Sequence, residues 1–450
     1  MLDAPLEQSA PATPAGGRRA GYPTSAKLLL LGAVGLTVVF GFVFTRKGEQ
    51  SEWQTCYIRA ARRMQAGLVI HRVEPVAYAY PPAMALLAVP FSWLDNRQSL
   101  AAWYAVNMLA TWIVFASAWR LTGGPPLKRL SGRWLATALL GTLLAGRFLA
   151  APLENQQFDM VIAALLLVGC CRLGRGRDVA AGVWLGAAAA MKCTPLLFAP
   201  YLVYRGKFKA ALLLVAVALA LNGASDLVYP KQGGGSYLVD WTNTFLLKVA
   251  RTAPGVWDSD LVLNQSLAGL VNRLVQSGFT TSADRLPSAL ASLMPRQVWL
   301  IRGLVAVSAA ALVAVFAWRL GKPFSAPAAA SLDSRPLPLE QVQTGIECAA
   351  VLCLMLLLSP MSSKAHYVVL LPACFLFARL LVNERRTGLY WLLPPLLATG
   401  PLCSKGLVGK TLGDLTLAWG LPTWFALLLF AVMCWATRAR ALQPRGNLPY

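Results

Sequence analysis

Few residues of this chain can make or break bonds, and they stand out against apolar neighbours. The clearest is the acid of the run Glu52-Trp53-Gln54-Thr55-Cys56-Tyr57, followed by Ala60-Ala61, Gly67 and Tyr80-Pro81-Pro82. A carboxylate placed beside a membrane can serve as a general base, taking the proton of a hydroxyl as that hydroxyl attacks carbon. Its plainer role is a solvated acid favoured by a helix dipole. Glu49 competes, but it stands further from Tyr57 and breaks the frame. Arg59, Arg62 and Arg63 follow at helical spacings that put them on adjacent faces. They suit a phosphate, and equally suit lipid headgroups. Lys192 lies between two apolar runs, where it meets an anion or snorkels to an interface. Lys364 and His366 follow Ser359-Pro360, where a proline lets the chain turn and carry polar groups into a cavity. The alternative for His366 is a helix-capping histidine at an interface.

The elements that must position these residues are membrane helices. The 450 residues are 57% hydrophobic and 13% charged, with a mean hydropathy of +0.54. A soluble domain carries about 25% charge. Apolar runs of span length recur, so the expected fold is all-α and polytopic. We expect twelve spans, near 26–44, 101–121, 134–152, 158–172, 178–191, 194–204, 208–222, 298–320, 344–360, 365–382, 387–402 and 419–437. The first run reads as a retained anchor, because it is too long for a signal-peptide core and lacks a cleavage site. Residues 1–25 read as a disordered cytoplasmic N-terminus and 441–450 as a cytoplasmic tail. The transmembrane domain then covers 26–440, with a first outer loop at 45–97 and a long outer loop at 223–297.

The net charge of +22 does not indicate nucleic acid. The Lys and Arg gather in short segments between apolar runs, as the positive-inside rule places them, without the aromatic-basic interleaving of single-strand binders. The nine Cys are scattered, so no disulfide framework is implied, and two His make a zinc site improbable. One loop departs from the charge rule. The first outer loop holds Arg46, Lys47, Arg59, Arg62, Arg63, Arg72 and Arg97. An anionic lipid phosphate would account for positive charge on that side. The limbs 178–191 and 194–204 are both flanked by basic residues and are too short to cross a hydrocarbon core of about 30 Å. They predict a hairpin whose turn, Met191-Lys192-Cys193-Thr194-Pro195, sits at membrane depth. Pro82 to Leu94 is likewise too short to cross and predicts a juxtamembrane helix, and the segment after Glu52 predicts a helix with its apolar side on the membrane surface.

Five segments in order resemble glycosyltransferase family 87, the polyprenyl-phosphate-sugar-dependent mannosyltransferases of the C-type superfamily. They are the Glu52–Tyr57 frame; Tyr80-Pro81-Pro82 through Pro90; Asn155-Gln156-Gln157-Phe158-Asp159; Gly182-x-x-x-Gly186 with Lys192, Pro195, Pro200 and Arg205; and Asn264-Gln265-Ser266-Leu267 with Arg273, paired with Leu358-Ser359-Pro360 and His366-Tyr367. The resemblance implies a C-type bundle of about twelve helices with extracytoplasmic juxtamembrane helices, in the cell membrane of a bacterium. It implies an inverting transfer of a sugar, mannose above all, from a polyprenyl phosphate donor to a glycolipid, glycan or protein hydroxyl on the extracytoplasmic face. Glu52 would be the base. Lys192, His366, Arg59, Arg62, Arg63 and Lys364 would meet the donor phosphate. Asn155, Gln156, Asp159, Asn264, Gln265, Arg273 and Tyr80 would meet the sugar or acceptor, with Trp241, Trp257, Asp258 and Asp260 nearby. No cofactor, metal or nucleic acid is implied; the partners are donor, acceptor and membrane lipid. The chain departs from the family at Glu52, where an Asp is usual, at Ser363 for Trp, and at Ala365 for a first His. A lipid or solute transporter is the competing class, and a non-catalytic scaffold a third. A transporter commonly shows matching broken spans in two halves, whereas the short hairpin occurs once. An enzyme requires Glu52, Lys192 and His366 around one cavity.

Overall fold

A computed structural model describes residues 22–46, 48–71, 78–247, 254–255, 261–277, 295–321 and 339–438. Of the expected terminal segments, residues 1–21 and 441–450 lie outside the described residues, as do 278–294, Arg72, Trp257, Asp258 and Asp260; Thr24 and Ser25, expected in the disordered N-terminus, begin the first helix. The described residues form helices and no strand. Seven helices are long and apolar enough to cross a membrane: Thr24–Thr45, Asn96–Leu121, Gly132–Glu154, Phe208–Val228, Arg296–Leu320, Glu340–Leu357 and Lys364–Val382. The pair Lys410–Ala418 and Leu421–Thr437, bent by 53°, makes an eighth if it is one span. The remaining four of the twelve expected spans form shorter helices or broken turns. Large apolar side chains point outward, among them Leu31, Phe42, Leu212, Trp299 and Val307. Such a surface is unfavourable in water and suits lipid. The chain is a multi-pass membrane protein.

The short limbs do form a hairpin. Asp178–Met191 has 14 residues and ends because Lys192 adopts an extended conformation (φ −157°, ψ 125°). The chain then starts a 3-10 turn at Thr194–Leu197, with Pro195 fixing its first turn, and returns through Phe198–Tyr204. At the open end Asp178 pairs with Lys207 at 3.2 Å. Phe208–Val228 then runs beside the first limb, and the Gly182-x-x-x-Gly186 pair explains how closely. A Cβ on Gly182 would lie 2.6 Å from the Ala210 carbonyl oxygen, and one on Gly186 2.7 Å from Val217 Cβ. The helices touch because those side chains are absent.

The segment after Glu52 departs from expectation. It opens with a π-helical turn, Trp53–Ile58, and continues as Arg59–Gln65. Its apolar side is packed inside the protein rather than on a membrane surface: Trp53, Tyr57, Ile58, Ala60, Ala61 and Met64 are all buried. It rests on the juxtamembrane helix Pro82–Ser92 and on Asn96–Leu121. Trp53 stacks on Trp103 with centroids 4.1 Å apart and planes 5° from parallel, and its Nε1 donates to Ser99 Oγ at 3.0 Å. Glu52 therefore stands at the edge of a rigid aromatic block.

Candidate active site

The turn between Gly132–Glu154 and Asp159–Leu173 organises the site. The first helix closes with paired backbone bonds, Gln157 N to Pro152 O at 2.8 Å and Gln156 N to Leu153 O at 3.1 Å, the pattern of a Schellman cap. That cap needs a left-handed residue, and Gln156 supplies it at φ 56°. A non-glycine there costs about 1–2 kcal/mol. Two bonds offset the cost: Gln156 Nε2 donates to the Phe44 carbonyl at 2.8 Å, and the Gln156 carbonyl accepts from Trp103 Nε1 at 2.9 Å. Gln156 is thus a buried structural residue. The next side chain points the other way, and Gln157 Nε2 donates to Glu52 Oε1 at 2.7 Å. The Tyr57 hydroxyl lies 3.5 Å from Glu52 Oε2.

Two residues further on, Asp159 opens its helix and is buried. Its Oδ1 lies 2.9 Å from Lys192 Nζ and 3.7 Å from His366 Nε2. His366 Nδ1 accepts from the Ser363 N–H at 3.1 Å, so in the neutral ring the proton is on Nε2 and faces Asp159. Lys192 Nζ also stands 5.9 Å from the centre of the Tyr80 ring. Glu52, Tyr80, Gln157, Lys192, Ser359 and His366 all line one cavity of about 340 Å³. Trp241, Phe245, Leu246 and Leu263 give it an apolar wall, and Trp241 is fixed by donating to the Ala79 carbonyl at 3.0 Å. Asp159 lines a small recess that shares Lys192, Ser359 and His366 with this cavity.

Protonation of the lining narrows the chemistry. Burial, then neighbouring groups that include Glu52, holds the Tyr57 and Tyr80 phenols well above the usual tyrosine range, so both remain protonated. Burial and then Glu52 push the Cys56 thiol up to about 12. It is not a thiolate at neutral pH and does not compete as a nucleophile.

Several expected contacts go elsewhere. Arg59, Arg62 and Arg63 do not line the cavity. Arg62 is exposed, and Arg63 Nε donates to the Val69 carbonyl at 2.7 Å. Lys364 and Asn155 are likewise outside the lining. Asn264, Gln265 and Arg273 are buried and turned toward backbone. Asn264 Nδ2 donates to the Pro360 carbonyl at 2.9 Å, and its Oδ1 accepts from Ser362 N at 3.2 Å. Gln265 N donates to the Ser362 carbonyl at 2.5 Å. Arg273 donates through Nε to the Ala418 carbonyl at 3.0 Å and through Nη1 to the Asn264 carbonyl. Asn264 and Gln265 clamp the loop that presents His366, and Arg273 holds Asn264 in turn. They were expected to meet sugar; Asn264 Nδ2, Gln265 Nε2 and Arg273 Nε and Nη1 instead donate to carbonyls. Sequence reasoning passed over Gln157, although it lies in the quoted Asn155–Asp159 run. It also missed Glu347, an acid inside an apolar helix, a position that by itself calls for a partner.

Comparison with known protein families matches residues 78–334 to the family described as glycosyltransferase family 87. The chain belongs to glycosyltransferase family 87. The matched stretch contains Tyr80, Gln157, Asp159 and Lys192, while Glu52 and His366 lie beyond it. Among curated proteins, this family 87 chain is 26% identical over 328 residues to a polyprenol-phosphate-mannose-dependent alpha-(1-2)-phosphatidylinositol mannoside mannosyltransferase of Mycobacterium tuberculosis (strain ATCC 25618 / H37Rv), covering 69% of this chain and 64% of that protein. It is 25% identical over 209 residues to the protein of the same description from Mycolicibacterium smegmatis, covering 44% of each. It is 24% identical over 322 residues to the corresponding pentamannoside mannosyltransferase of Mycobacterium tuberculosis (strain CDC 1551 / Oshkosh), covering 68% of this chain and 66% of that one. The chain thus spans less than two thirds of the length of each of these relatives. No solved structure matches it.

Proposed function

We propose that this protein is a membrane glycosyltransferase that moves a sugar, mannose by analogy with its relatives, from a polyprenyl phosphate donor to a hydroxyl of a glycolipid or glycan. The observation that carries this is one cavity lined by Glu52 together with Lys192 and His366. Glu52 takes the proton of the acceptor hydroxyl as its oxygen bonds to the anomeric carbon. The bond from that carbon to the phosphate oxygen breaks on the opposite side, so the centre inverts. The donor phosphodiester carries one negative charge and the departing polyprenyl phosphate two. Lys192, with its ammonium, and His366, through its Nε2–H, meet the charge that develops. Asp159 holds Lys192 at 2.9 Å but stands 3.7 Å from His366 Nε2, beyond hydrogen-bond reach, so the Nε2–H and the donor hydrogens of Lys192 that Asp159 leaves over go to the phosphate. The apolar wall of Trp241, Phe245 and Leu246 suits the lipid portion of a substrate. The reading places the cavity on the extracytoplasmic face and the open end of the hairpin, with Arg175 and Lys207, on the cytoplasmic side.

The test is incubation of purified protein with radiolabelled polyprenyl-phosphate sugars, mannose first, and membrane lipid extract. Wild type should label a lipid, and Glu52→Gln should bind donor without labelling. Near-normal turnover by Glu52→Gln would remove the base from the scheme, and absence of labelling from every donor by wild type would remove the transferase.

A further inference from the structure

A second group of charges stands beside the cavity but outside its lining. Arg147, about two turns before the end of Gly132–Glu154, pairs through Nη1 with Glu154 at 3.3 Å. Lys405, at the start of Lys405–Val408, pairs with Asp414. Lys364 opens the 3-10 helix Lys364–Leu370 and has no hydrogen bond or ion pair of its side chain among the described residues. Packing brings the three cations together. A Cβ on Gly400 would lie 3.1 Å from the Leu144 carbonyl oxygen, so the loop that leads to Lys405 lies directly on the helix of Arg147. Lys364 is within electrostatic reach of Arg147, Lys405 and Glu154, and Lys364 and Arg147 both act on Cys403. Three cations thus share two carboxylates, and each carboxylate already has a partner. Like charges gathered in this way repel unless an anion joins them. One can reach them, because all five charged side chains keep part of their surface exposed. An arginine snorkelling toward Glu154 would explain Arg147, but it leaves Lys364 without an acid of its own.

The surroundings select the anion. Leu139, Leu143 and Arg147 recur every four residues and fall on one helix face. Both leucines are exposed, and they stand about 12 Å and 6 Å along the axis from Arg147. Leu402 and Leu407, on either side of Lys405, are exposed as well. A free anion makes no use of apolar surface next to the charges, whereas a lipid lays its acyl chains there and brings a phosphate to the cations. We propose that Arg147, Lys364 and Lys405 form a binding site for the phosphate headgroup of an anionic membrane lipid, whose chains run along Leu139 and Leu143. A zwitterionic headgroup suits the site less, because it brings a cation of its own. The site is separate from the cavity that Glu52 lines. It is joined to that cavity by the helix Lys364–Leu370, which carries His366 two residues after Lys364, so bound lipid holds in place the segment that presents His366.

The test needs no transfer chemistry. Purified full chain is exchanged into neutral detergent to strip lipid, and its melting temperature is followed against rising short-chain phosphatidylglycerol, phosphatidylcholine with the same chains, or inorganic phosphate. A ligand of the folded state raises melting by mass action. Phosphatidylglycerol should do so at concentrations about tenfold below those of phosphatidylcholine, and inorganic phosphate should not do so over the same range. Lys364→Gln breaks no ion pair, so it should fold, and it should need about tenfold or more phosphatidylglycerol for the same rise. Glu154→Gln should need less than wild type, because a carboxylate no longer competes with the phosphate for Arg147. Lys209→Gln, an exposed lysine at the open end of the hairpin, should respond as wild type does. Equal responses of wild type to the two phospholipids, or equal responses of Lys364→Gln and Lys209→Gln to phosphatidylglycerol, overturn the proposal. An inorganic phosphate response as strong as that to phosphatidylglycerol overturns the lipid and leaves a free-anion site. None of these outcomes bears on Glu52, whose test is transfer.

Discussion

Asp159 Oδ1 lies 2.9 Å from Lys192 Nζ, and that contact ties the first residue of one helix to the turn of the short hairpin. Both side chains are largely withdrawn from solvent, at 5% and 15% exposure. A buried pair of this kind is a poor source of net stability, because desolvation of each ion offsets most of the attraction, but removal of one member strands the other. Lys192 lines the cavity that Glu52 lines, and Asp159 the small recess beside it. Stability and transfer are therefore separable by substitution.

Lys192→Ala should lower transfer about 30–1,000-fold, through loss of roughly 2–4 kcal/mol of charge stabilisation. It should also lower the melting temperature, because Asp159 is left without its ion pair. Lys192→Met combined with Asp159→Asn removes both charges and should restore melting without restoring transfer. Lys192→Arg should retain some transfer, since charge persists while its geometry changes. Transfer kinetics at several donor concentrations, with melting curves, check all four proteins. A folded Lys192→Ala enzyme within about threefold of wild type would show that the lysine does not meet the phosphate.

Gly186 offers a purely steric test of the hairpin. An added Cβ would lie 2.7 Å from Val217 Cβ and 2.8 Å from the Leu214 carbonyl oxygen. The carbonyl belongs to a helix and cannot swing aside. Gly186→Ala should cost about 1–3 kcal/mol by overpacking, more than the roughly 1 kcal/mol gained in helix propensity. Gly146 is also helical, but nothing lies within 4 Å of its added Cβ. Gly146→Ala should be neutral or stabilising. Equal melting temperatures for the two variants would mean that the hairpin does not pack on Phe208–Val228 as described.

Part of this architecture was legible in the sequence. The helical membrane class follows from apolar runs, and the short hairpin from limbs too brief to cross. Glu52, Lys192, His366 and Tyr80 were singled out, and the fold brings them to one cavity. What spacing does not encode is direction. Gln156 and Gln157 are the same residue type in adjacent positions, yet the left-handed Gln156 sends its side chain to Phe44 and the next to Glu52. Asn264, Gln265 and Arg273 have the chemistry of sugar ligands, but backbone groups need them first: Pro360 and Ser362 for Asn264, Leu417 for Gln265, and Ala418 and Asn264 for Arg273. The arginines after Glu52 share a short helix with buried Ala60, Ala61 and Met64. Packing that apolar side inward turns the arginines away from the cavity.

His71 gives a pH dependence with a definite sign. Its Nδ1 donates to the Tyr78 carbonyl at 2.9 Å, and its ring meets Phe245 of the cavity wall with centroids 5.7 Å apart. Burial lowers its pKa below the usual histidine value, despite the raising effects of that carbonyl and of Asp240. The unfolded chain therefore binds a proton at a pH where the folded chain does not. This contribution is fully present above about pH 6.5, the ordinary histidine value, and is lost as pH falls toward the lowered folded one, by up to about 1.4 kcal/mol per pH unit. His71→Gln should flatten that part of the melting-temperature profile between neutral and acid pH. An unchanged profile would assign the acid sensitivity to carboxylates.

The other end of the hairpin carries a charge pair with no part in the cavity. Arg205 meets Glu347 in a fork, Nε to Oε2 at 2.9 Å and Nη2 to Oε1 at 2.5 Å, and the Tyr201 hydroxyl donates to Oε2 at 2.9 Å. Glu347 sits on Leu339–Leu357 and Arg205 just beyond Phe198–Tyr204, so the fork fastens the returning limb to the bundle. Both side chains are nearly inaccessible, at 5% and 2% exposure. Glu347→Gln leaves a buried guanidinium without its counter-charge and should cost about 3–5 kcal/mol. Replacing the group as a unit, with Arg205→Met, Tyr201→Phe and Glu347→Leu, leaves no buried charge and should return most of that stability. Transfer in the triple variant should stay close to wild type, because Lys192 stands at the opposite end of the limb from Arg205. Melting curves and transfer rates on the same preparations decide it. A triple variant that melts normally but does not transfer would mean that the fork sets the depth of Lys192, and that the two ends of the hairpin act as one lever.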